Sequence, residues 1–284
     1  MKSPATHRRY FRFGLRTFLA VVAMAGVSLG WFMHRVNQQK AAVQWVQENM
    51  GAVEYAIATK PPRLAWLRTL VGVDGVAKVR SVSLDADPLF VSDNSSKANR
   101  RSVVSELSPL VNLKSLEELH LSGMPVSDVS PLVNLKSLKT LDLSGTLVSD
   151  VSPLANLKSL ETLDLSGTLV SDATPLANLK SLKTLDLSGT QVSDVSPLAN
   201  LKSLETLDLS GTLVPDVSLM ANLKSLKILD LCGTQVSDVS PLANLKSLKT
   251  LLLLNEQMEE LSRSVETLRK ALPNLKPFGI CKLF

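Results

Sequence analysis

At 284 residues, with 45% hydrophobic and 20% charged side chains, the chain is long enough for one sizeable folded domain plus appendages, which excludes disorder throughout. Aromatics make up only 4%, so leucine and valine must fill the core, which suits thin stacked layers better than an interior built around large rings. The formal charge of +5 sits at one end: setting aside Lys2, Arg8, Arg9, Arg12 and Arg16 leaves 26 basic against 26 acidic residues, so no nucleic-acid partner is expected.

After this basic tail (1–16), Thr17 to Met33 is an uncharged run of 17 residues followed by His34 and Arg35. A helix rises about 1.5 Å per residue and the hydrocarbon core is about 30 Å thick, so a transmembrane signal-anchor helix over 17–33 is expected. Five basic residues precede the run and two, Arg35 and Lys40, follow it, which keeps the N-terminus cytoplasmic and exports everything after residue 35. Ala23-Met24-Ala25 also fits a signal-peptide cleavage pattern, but the apolar run continues through Val27, Leu29, Trp31 and Phe32. Both alternatives export the remainder.

Residues 36–78 are expected to form an N-terminal cap of helix, strand and helix. Its first helix, around residues 38–51, is amphipathic, with Val43, Val46 and Met50 on one face and Gly51 closing it. AVEYAI then alternates like a strand, and RLAWLRTLV after Pro61-Pro62 reads as a second short helix.

From Leu116 the pattern Leu-x-x-Leu-x-Leu recurs at Leu138, Leu160, Leu182, Leu204, Leu226 and Leu248, always 22 residues apart. A fixed period of this length carrying this pattern is the leucine-rich-repeat signature. Each unit predicts a short strand, a Ser-Gly-Thr turn and a return leg. Because Pro131, Pro153, Pro175, Pro197 and Pro241 sit in that leg, it should be 3₁₀ or a tight turn rather than a long helix. The unit VSDVSPLANLKSLETLDLSGT resembles the 22-residue repeats of the bacterial internalin-like family over about residues 107–255. That resemblance implies an α/β, right-handed solenoid with a parallel β-sheet on its concave face. It departs from the family pattern in carrying threonine (Thr146, Thr168, Thr190, Thr212, Thr234) where an asparagine is usual, and the invasion proteins' immunoglobulin-like module and wall-sorting tail have no counterpart in it.

Val79, Val82 and Leu84 start the array, which is expected over 79–255 with a loop insertion near 90–105. Residues 256–284 should be a C-terminal helical repeat and cap, with Leu261, Val265, Leu268 and Leu272 at helical spacing.

Strand alternation turns polar rows outward. His120, Asp142, Asp164, Asp186, Asp208 and Asp230 form one row, ending at Leu252. Beside it runs Glu118, then threonines, then Ile228; Ser122 and its equivalents end at Cys232 and Leu254. Of these, His120, Asp142, Asp164, Asp186, Asp208, Asp230, Ile228, Cys232, Leu252 and Leu254 are the candidate partner-binding residues. Stacked aspartates repel, so the row should raise its own pKa values, recruit Lys139, Lys183 or Lys227, or hold cations such as calcium; the structural alternative has each carboxylate accepting bonds from serine and threonine hydroxyls. Ile228, Cys232, Leu252, Leu254 and Cys281 make an apolar end suited either to a partner or to coverage by Leu283 and Phe284.

Lys114 and its equivalents form a flank that fits an anionic glycan or a solvated edge balanced by Asp128 and its equivalents, and Asn134 and its equivalents are expected to bond backbone inside the turns. Cys232 and Cys281, two strands apart, are expected to be free thiols. His7, His34 and His120 are scattered, so no catalytic site, metal site or cofactor is expected. The expected function is protein or glycan recognition outside the cytoplasmic membrane, with an envelope spacer capable of self-association, or a cytosolic regulatory scaffold, as alternatives.

Overall fold

The computed structural model describes residues 15–49, 51–56, 77–84, 105–253, 261–275 and 279–280. The expected second cap helix at Arg63–Val71, the insertion near 90–105, most of the basic tail, Met50, Leu254, Cys281, Leu283 and Phe284 lie outside them.

Helix α1 runs unbroken from Leu15 to Glu48. The anchor and the first cap helix, expected as separate elements, are therefore one. Nothing between Met33 and Gln38 is Gly or Pro, and His34 and Gln38 hydrogen-bond across the junction, nitrogen to nitrogen at 2.8 Å. Two environments divide the helix. Val27 and Trp31 are 74% and 66% exposed, whereas Val36 is buried and Ala42, Val43 and Val46 belong to the core shared with the coils. Gln39 Nε2 donates to the Ala77 carbonyl at 2.6 Å. The helix ends where the Gly51 amide bonds the Val46 carbonyl; a Cβ on Gly51 would lie 2.7 Å from the Ser83 carbonyl oxygen, so only glycine lets the chain turn this close to the next strand.

Strand β1 (Ala52–Tyr55) pairs antiparallel with β2 (Val79–Ser83). Thereafter the sheet is parallel and in strict sequence order to β10, ten strands in all: β3 (Glu118–His120), β4 (Thr140–Asp142), β5 (Thr162–Asp164), β6 (Thr184–Asp186), β7 (Thr206–Asp208), β8 (Ile228–Asp230), β9 (Thr250–Leu253) and β10 (Gly279–Ile280). The 22-residue period keeps the register fixed. Leu119, Leu141, Leu163, Leu185 and Leu207 pair in line, each flanked by outward residues.

The return legs are 3₁₀ turns such as Ser152–Asn156, as the prolines predict. Proline suits the start of such a turn because its missing N–H has no acceptor there. It is not indispensable, for Ser218–Asn222 forms the same turn with Leu219 in its place. The shared device is an aspartate two residues ahead: Asp150 Oδ1 accepts the Ser152 amide at 2.8 Å, and Asp128, Asp172, Asp194, Asp216 and Asp238 do the same in their coils. Asn134, Asn156 and their equivalents are exposed, and no side-chain hydrogen bond to turn backbone is found for them among the described residues. That role belongs to the aspartates, because they precede the turn's unsatisfied amides while the asparagines stand at its carbonyl end.

Each coil folds its leucines and valines into one continuous core. In a single coil Leu160, Leu163, Leu165, Val170, Leu176 and Leu179 are all fully buried. The threonine that departs from the family pattern is buried too. Thr168 Oγ1 donates to the Leu165 carbonyl at 2.6 Å, and Thr146, Thr190, Thr212 and Thr234 repeat the bond. The turn ahead of it needs a left-handed residue, supplied by Gly167 at φ 62°.

Helix α2 (Ser262–Ala271) closes the far end, burying Val265 and Leu268 as its spacing predicts, with Arg269 and Lys270 in its last turn. The expectation of free thiols fails. Cys232 is 8% exposed and disulfide-bonded, and the only other cysteine in the chain is Cys281. Rung spacing governs residues on the strands, but Cys232 lies two residues past β8, in the turn, where that spacing does not fix the separation.

Candidate recognition surface on the concave face

Strands β3 to β9 hold two outward residues each on a rigid ladder, so their side chains repeat at about 4.8 Å. His120, Asp142, Asp164, Asp186, Asp208 and Asp230 stand in one register row, and Glu118, the four threonines Thr140, Thr162, Thr184 and Thr206, and Ile228 in the next. The third expected row, Ser122 to Cys232, belongs to the turn that follows.

The turn serines hold the aspartates in place. Ser144 donates its amide and its hydroxyl to Asp142 Oδ1 at 2.9 and 2.7 Å, and Ser166 does the same for Asp164 at 2.8 and 2.7 Å. Asp186, Asp208 and Asp230 each accept the amide of Ser188, Ser210 and Cys232 at 2.8 Å. The hydroxyl partners are thus serines within the same coil, and the threonine row contributes none. At the row's start His120 Nδ1 is 3.9 Å from Asp142 Oδ2.

Burial pushes the Asp164, Asp186 and Asp230 carboxyls above their ordinary value; the serine bonds at Asp164 and Asp186, and the Cys232 amide at Asp230, oppose this, and neighbouring aspartates add to it. The aspartates of the return legs behave oppositely, since Asp128, Asp150, Asp172, Asp194 and Asp216 are solvated and the hydroxyl and amide of the following serine or threonine hold them below it.

The sign of the consequence follows from linkage. A carboxyl with a raised folded pKa leaves the folded state holding more protons than the unfolded one, so its contribution to stability declines as pH rises through the folded pKa. Asp186→Asn, which keeps an acceptor for the Ser188 amide, is therefore expected to raise the urea midpoint at pH 7. Below the ordinary carboxylate range of about 4, where the parent side chain is also neutral, the gain should vanish; equal midpoints at pH 7 would count against an electrostatic penalty in this row.

The flanking charges resolve into discrete pairs. Lys139 meets Glu117 at 3.0 Å, Lys183 meets Glu161 at 2.6 Å and Lys227 meets Glu205 at 2.6 Å, each lysine reaching back one coil. None of these ammonium groups turns to the aspartate row. Such solvent-screened pairs contribute little to stability, so their effect is to fix a surface pattern more than to hold the fold. Among the described residues no group of three or more His, Cys, Asp or Glu side chains is disposed to hold a metal ion.

On the opposite flank Lys180, Lys202, Lys224 and Lys246 donate to the carbonyls of Ala177, Ala199, Ala221 and Ala243 at 2.6 to 3.0 Å, the last three also reaching the next coil at 3.2 to 3.4 Å. They cap the carbonyl ends of the 3₁₀ turns. Of the expected apolar end, Ile228 is 41% exposed, Leu252 half-buried and Cys232 buried in its disulfide. A further apolar row escapes a reading of strands alone: Leu147, Leu169 and Leu213 stand half-exposed on the turns. Its signal is in the repeat itself, because the equivalent positions 191 and 235 hold glutamine, which marks the site as solvent-facing.

The fold and this surface define the class. Two copies of the model for leucine-rich repeats match residues 136–178 and 180–221. Among solved structures, internalin C2 of Listeria monocytogenes is 44% identical with a TM-score of 0.51, over 52% of this chain and 66% of that one. A second internalin of that organism, inlF, is 31% identical with a TM-score of 0.52, over 63% of this chain and 59% of that one. The chain thus spans just under two-thirds of the length of each. No curated protein matches it significantly. The chain is a leucine-rich-repeat protein, and its repeats are of the bacterial internalin-like kind.

Proposed function

We propose that the chain is a non-catalytic binding module, anchored in the cytoplasmic membrane by the first half of α1 and presenting the face of its parallel sheet outside the cytoplasm to a protein or a glycan. The observation that carries this reading is the arrangement of the sheet's outward rows: repeated, identical, hydrogen-bonded polar groups on a rigid ladder offer many equivalent contacts and no convergence of dissimilar groups for chemistry. Recognition is assigned to Asp142, Asp164, Asp186, Asp208 and Asp230 with His120 at their head, and to the apolar end at Ile228 and Leu252. The anchor reading is supported by a helix long and apolar enough to cross a membrane whose apolar residues from Leu19 to Trp31 are exposed among the described residues.

The test captures partners with the purified full chain in detergent, beside a variant with Asp164, Asp186 and Asp208 all changed to lysine. These side chains are partly buried, so circular dichroism first establishes that the variant folds; the retained partner should then fall by about tenfold or more, as expected when several charges of an interface are reversed. Equal retention by the folded variant would remove recognition from this row. A reporter enzyme active only outside the cytoplasm, joined after Phe284, reads the side of the membrane. A second reading, self-association, is favoured by the rim leucines Leu147, Leu169 and Leu213; sedimentation of the chain as a monomer would dismiss it.

A further inference from the structure

Helix α1 gives the array a direction relative to its own apolar half. Gln39 Nε2 donates to the Ala77 carbonyl at 2.6 Å, just ahead of β2, whereas the helix ends at Gly51, beside the Ser83 carbonyl at the far end of β2. It therefore runs in the same sense as β2 and the strands parallel to it, and its apolar half leaves the array from the edge where those strands begin. Ser81 pairs with Glu118, and counting back equally from that pair puts Ala77 and Lys114 at the same place in successive coils. The edge from which the anchor emerges is thus the lysine row. One exposed lysine per coil, from Lys114 to Lys246, lines it. Lys180, Lys202, Lys224 and Lys246 rest on carbonyl oxygens, which fixes each ammonium without cancelling its charge and, since an ammonium has three donors, leaves one over. The glutamates nearby are already matched by Lys139, Lys183 and Lys227. On the opposite edge stands one exposed aspartate per coil, from Asp128 to Asp238. A balanced net charge therefore conceals an array polarised across its width, basic toward the emerging helix and acidic away from it.

We propose that this lysine edge is a docking surface for the anionic phosphate headgroups of the bilayer that holds α1, so that the solenoid lies along the membrane with its acidic edge outward. The proposal rests on the anchor reading given above and adds to it an orientation and a lipid class. Met33, the last residue of the apolar run, and Gln39, level with the lysine row, are separated by about 9 Å of helix, close to the roughly 5–8 Å depth of one headgroup layer. Charges at that height feel the surface, because an anionic leaflet attracts basic residues over a screening length of about 10 Å.

The orientation bears on recognition. Strands that follow the direction of a spanning helix stand upright on the bilayer, and their stacking axis lies in its plane. The concave face then looks sideways along the membrane, open over its whole height, and the headgroups cover only the edge at which the strands begin.

The experiment reconstitutes the full chain into vesicles of phosphatidylcholine alone and into vesicles that also contain phosphatidylglycerol. The chain carries Gln191→Lys, which puts a reporter amine at an exposed position on the far edge. An uncharged acylating reagent is applied, and modification of each amine is followed by mass spectrometry. Acylation needs the neutral amine, which an anionic surface disfavours, so Lys114, Lys136 and Lys158 should react about fivefold more slowly in the anionic vesicles, while the amine at residue 191 reacts alike in both. High salt should abolish the difference. Changing Lys114, Lys136 and Lys158 together to glutamate, in a chain whose circular dichroism is unaltered, should also expose Lys202 and Lys224 to the reagent, because the edge lifts as a unit. Equal rates in the two lipids, or slowing that includes residue 191, in a chain that resists carbonate extraction would overturn the proposal and leave the anchor standing. Extraction by carbonate would overturn the anchor and the proposal with it. Slowing produced by dextran sulfate added to phosphatidylcholine vesicles, and absent with phosphatidylglycerol, would overturn the lipid in favour of an anionic glycan.

Discussion

Replacing Leu185 by alanine is expected to destabilise the array by about 2–5 kcal/mol, the range for truncating a fully buried leucine whose surroundings cannot collapse. Leu185 lies at the centre of β6, is fully buried, and is in register with Leu163 in the coil before and Leu207 in the coil after. The cavity is therefore walled by two neighbours that are themselves pinned by the sheet, which places the effect toward the upper end. In a stacked array each coil touches only its neighbours, so stability is carried by coil-to-coil interfaces, and this one substitution weakens two of them. Urea unfolding followed by circular dichroism should show a lowered midpoint and a broadened or split transition, as the coils on either side separate into two cooperative blocks. Leu268→Ala in α2 removes an equally buried side chain at the end of the array and should fray the cap without splitting the transition. A change below about 1 kcal/mol at Leu185 would contradict a continuous core, since domain stability totals only about 5–15 kcal/mol.

The features that the sequence made legible are those the 22-residue period repeats. Strand positions, fixed register, buried leucines and 3₁₀ return legs follow from one coil, because a neighbour of identical sequence can only stack in register. The helical spacing from Leu261 to Leu272 likewise foretold α2. What remained hidden depends on geometry within a coil or on a single occurrence. Asp128 and Asp142 are the same residue type in regular rows, yet one is a solvated turn brace and the other half-buried; only the direction of the chain at each position separates them. The lysine rows were equally ambiguous, since reach along the coil decides that Lys183 pairs with Glu161 while Lys180 caps a carbonyl. Rung arithmetic missed the disulfide because Cys232 has already left the strand. The candidate site was thus legible as rows of residues, though not as hydrogen-bonded groups.

Introducing arginine at both Val22 and Val27 is expected to release the chain from the membrane while leaving the array intact. Each arginine near the middle of a spanning helix costs roughly 2.5–3.5 kcal/mol, so the pair opposes insertion by roughly 5–7 kcal/mol, enough to reverse a helix of marginal length. The two valines are 51% and 74% exposed and lie outside the array's core, which this helix joins only at Ala42. That separation makes the prediction sharp, because anchoring and folding are carried by successive stretches of one element. Leu15–Glu48 has 34 residues, or about 51 Å of helix, of which about 30 Å suffices for the hydrocarbon core. On the proposed anchor reading the remainder is built into the first coils, which would leave no flexible tether between bilayer and solenoid and would put Arg35, 6.0 Å from the Trp31 ring, at their junction. The converse variant, Val43→Asp, places an unpaired charge at a fully packed position and should unfold the first coils while the chain stays membrane-bound. Fractionation through a carbonate wash, read beside circular dichroism, measures both properties at once. A double-arginine chain that remains in the membrane pellet would end the anchor reading and return the exposed apolar half of α1 to some other cover.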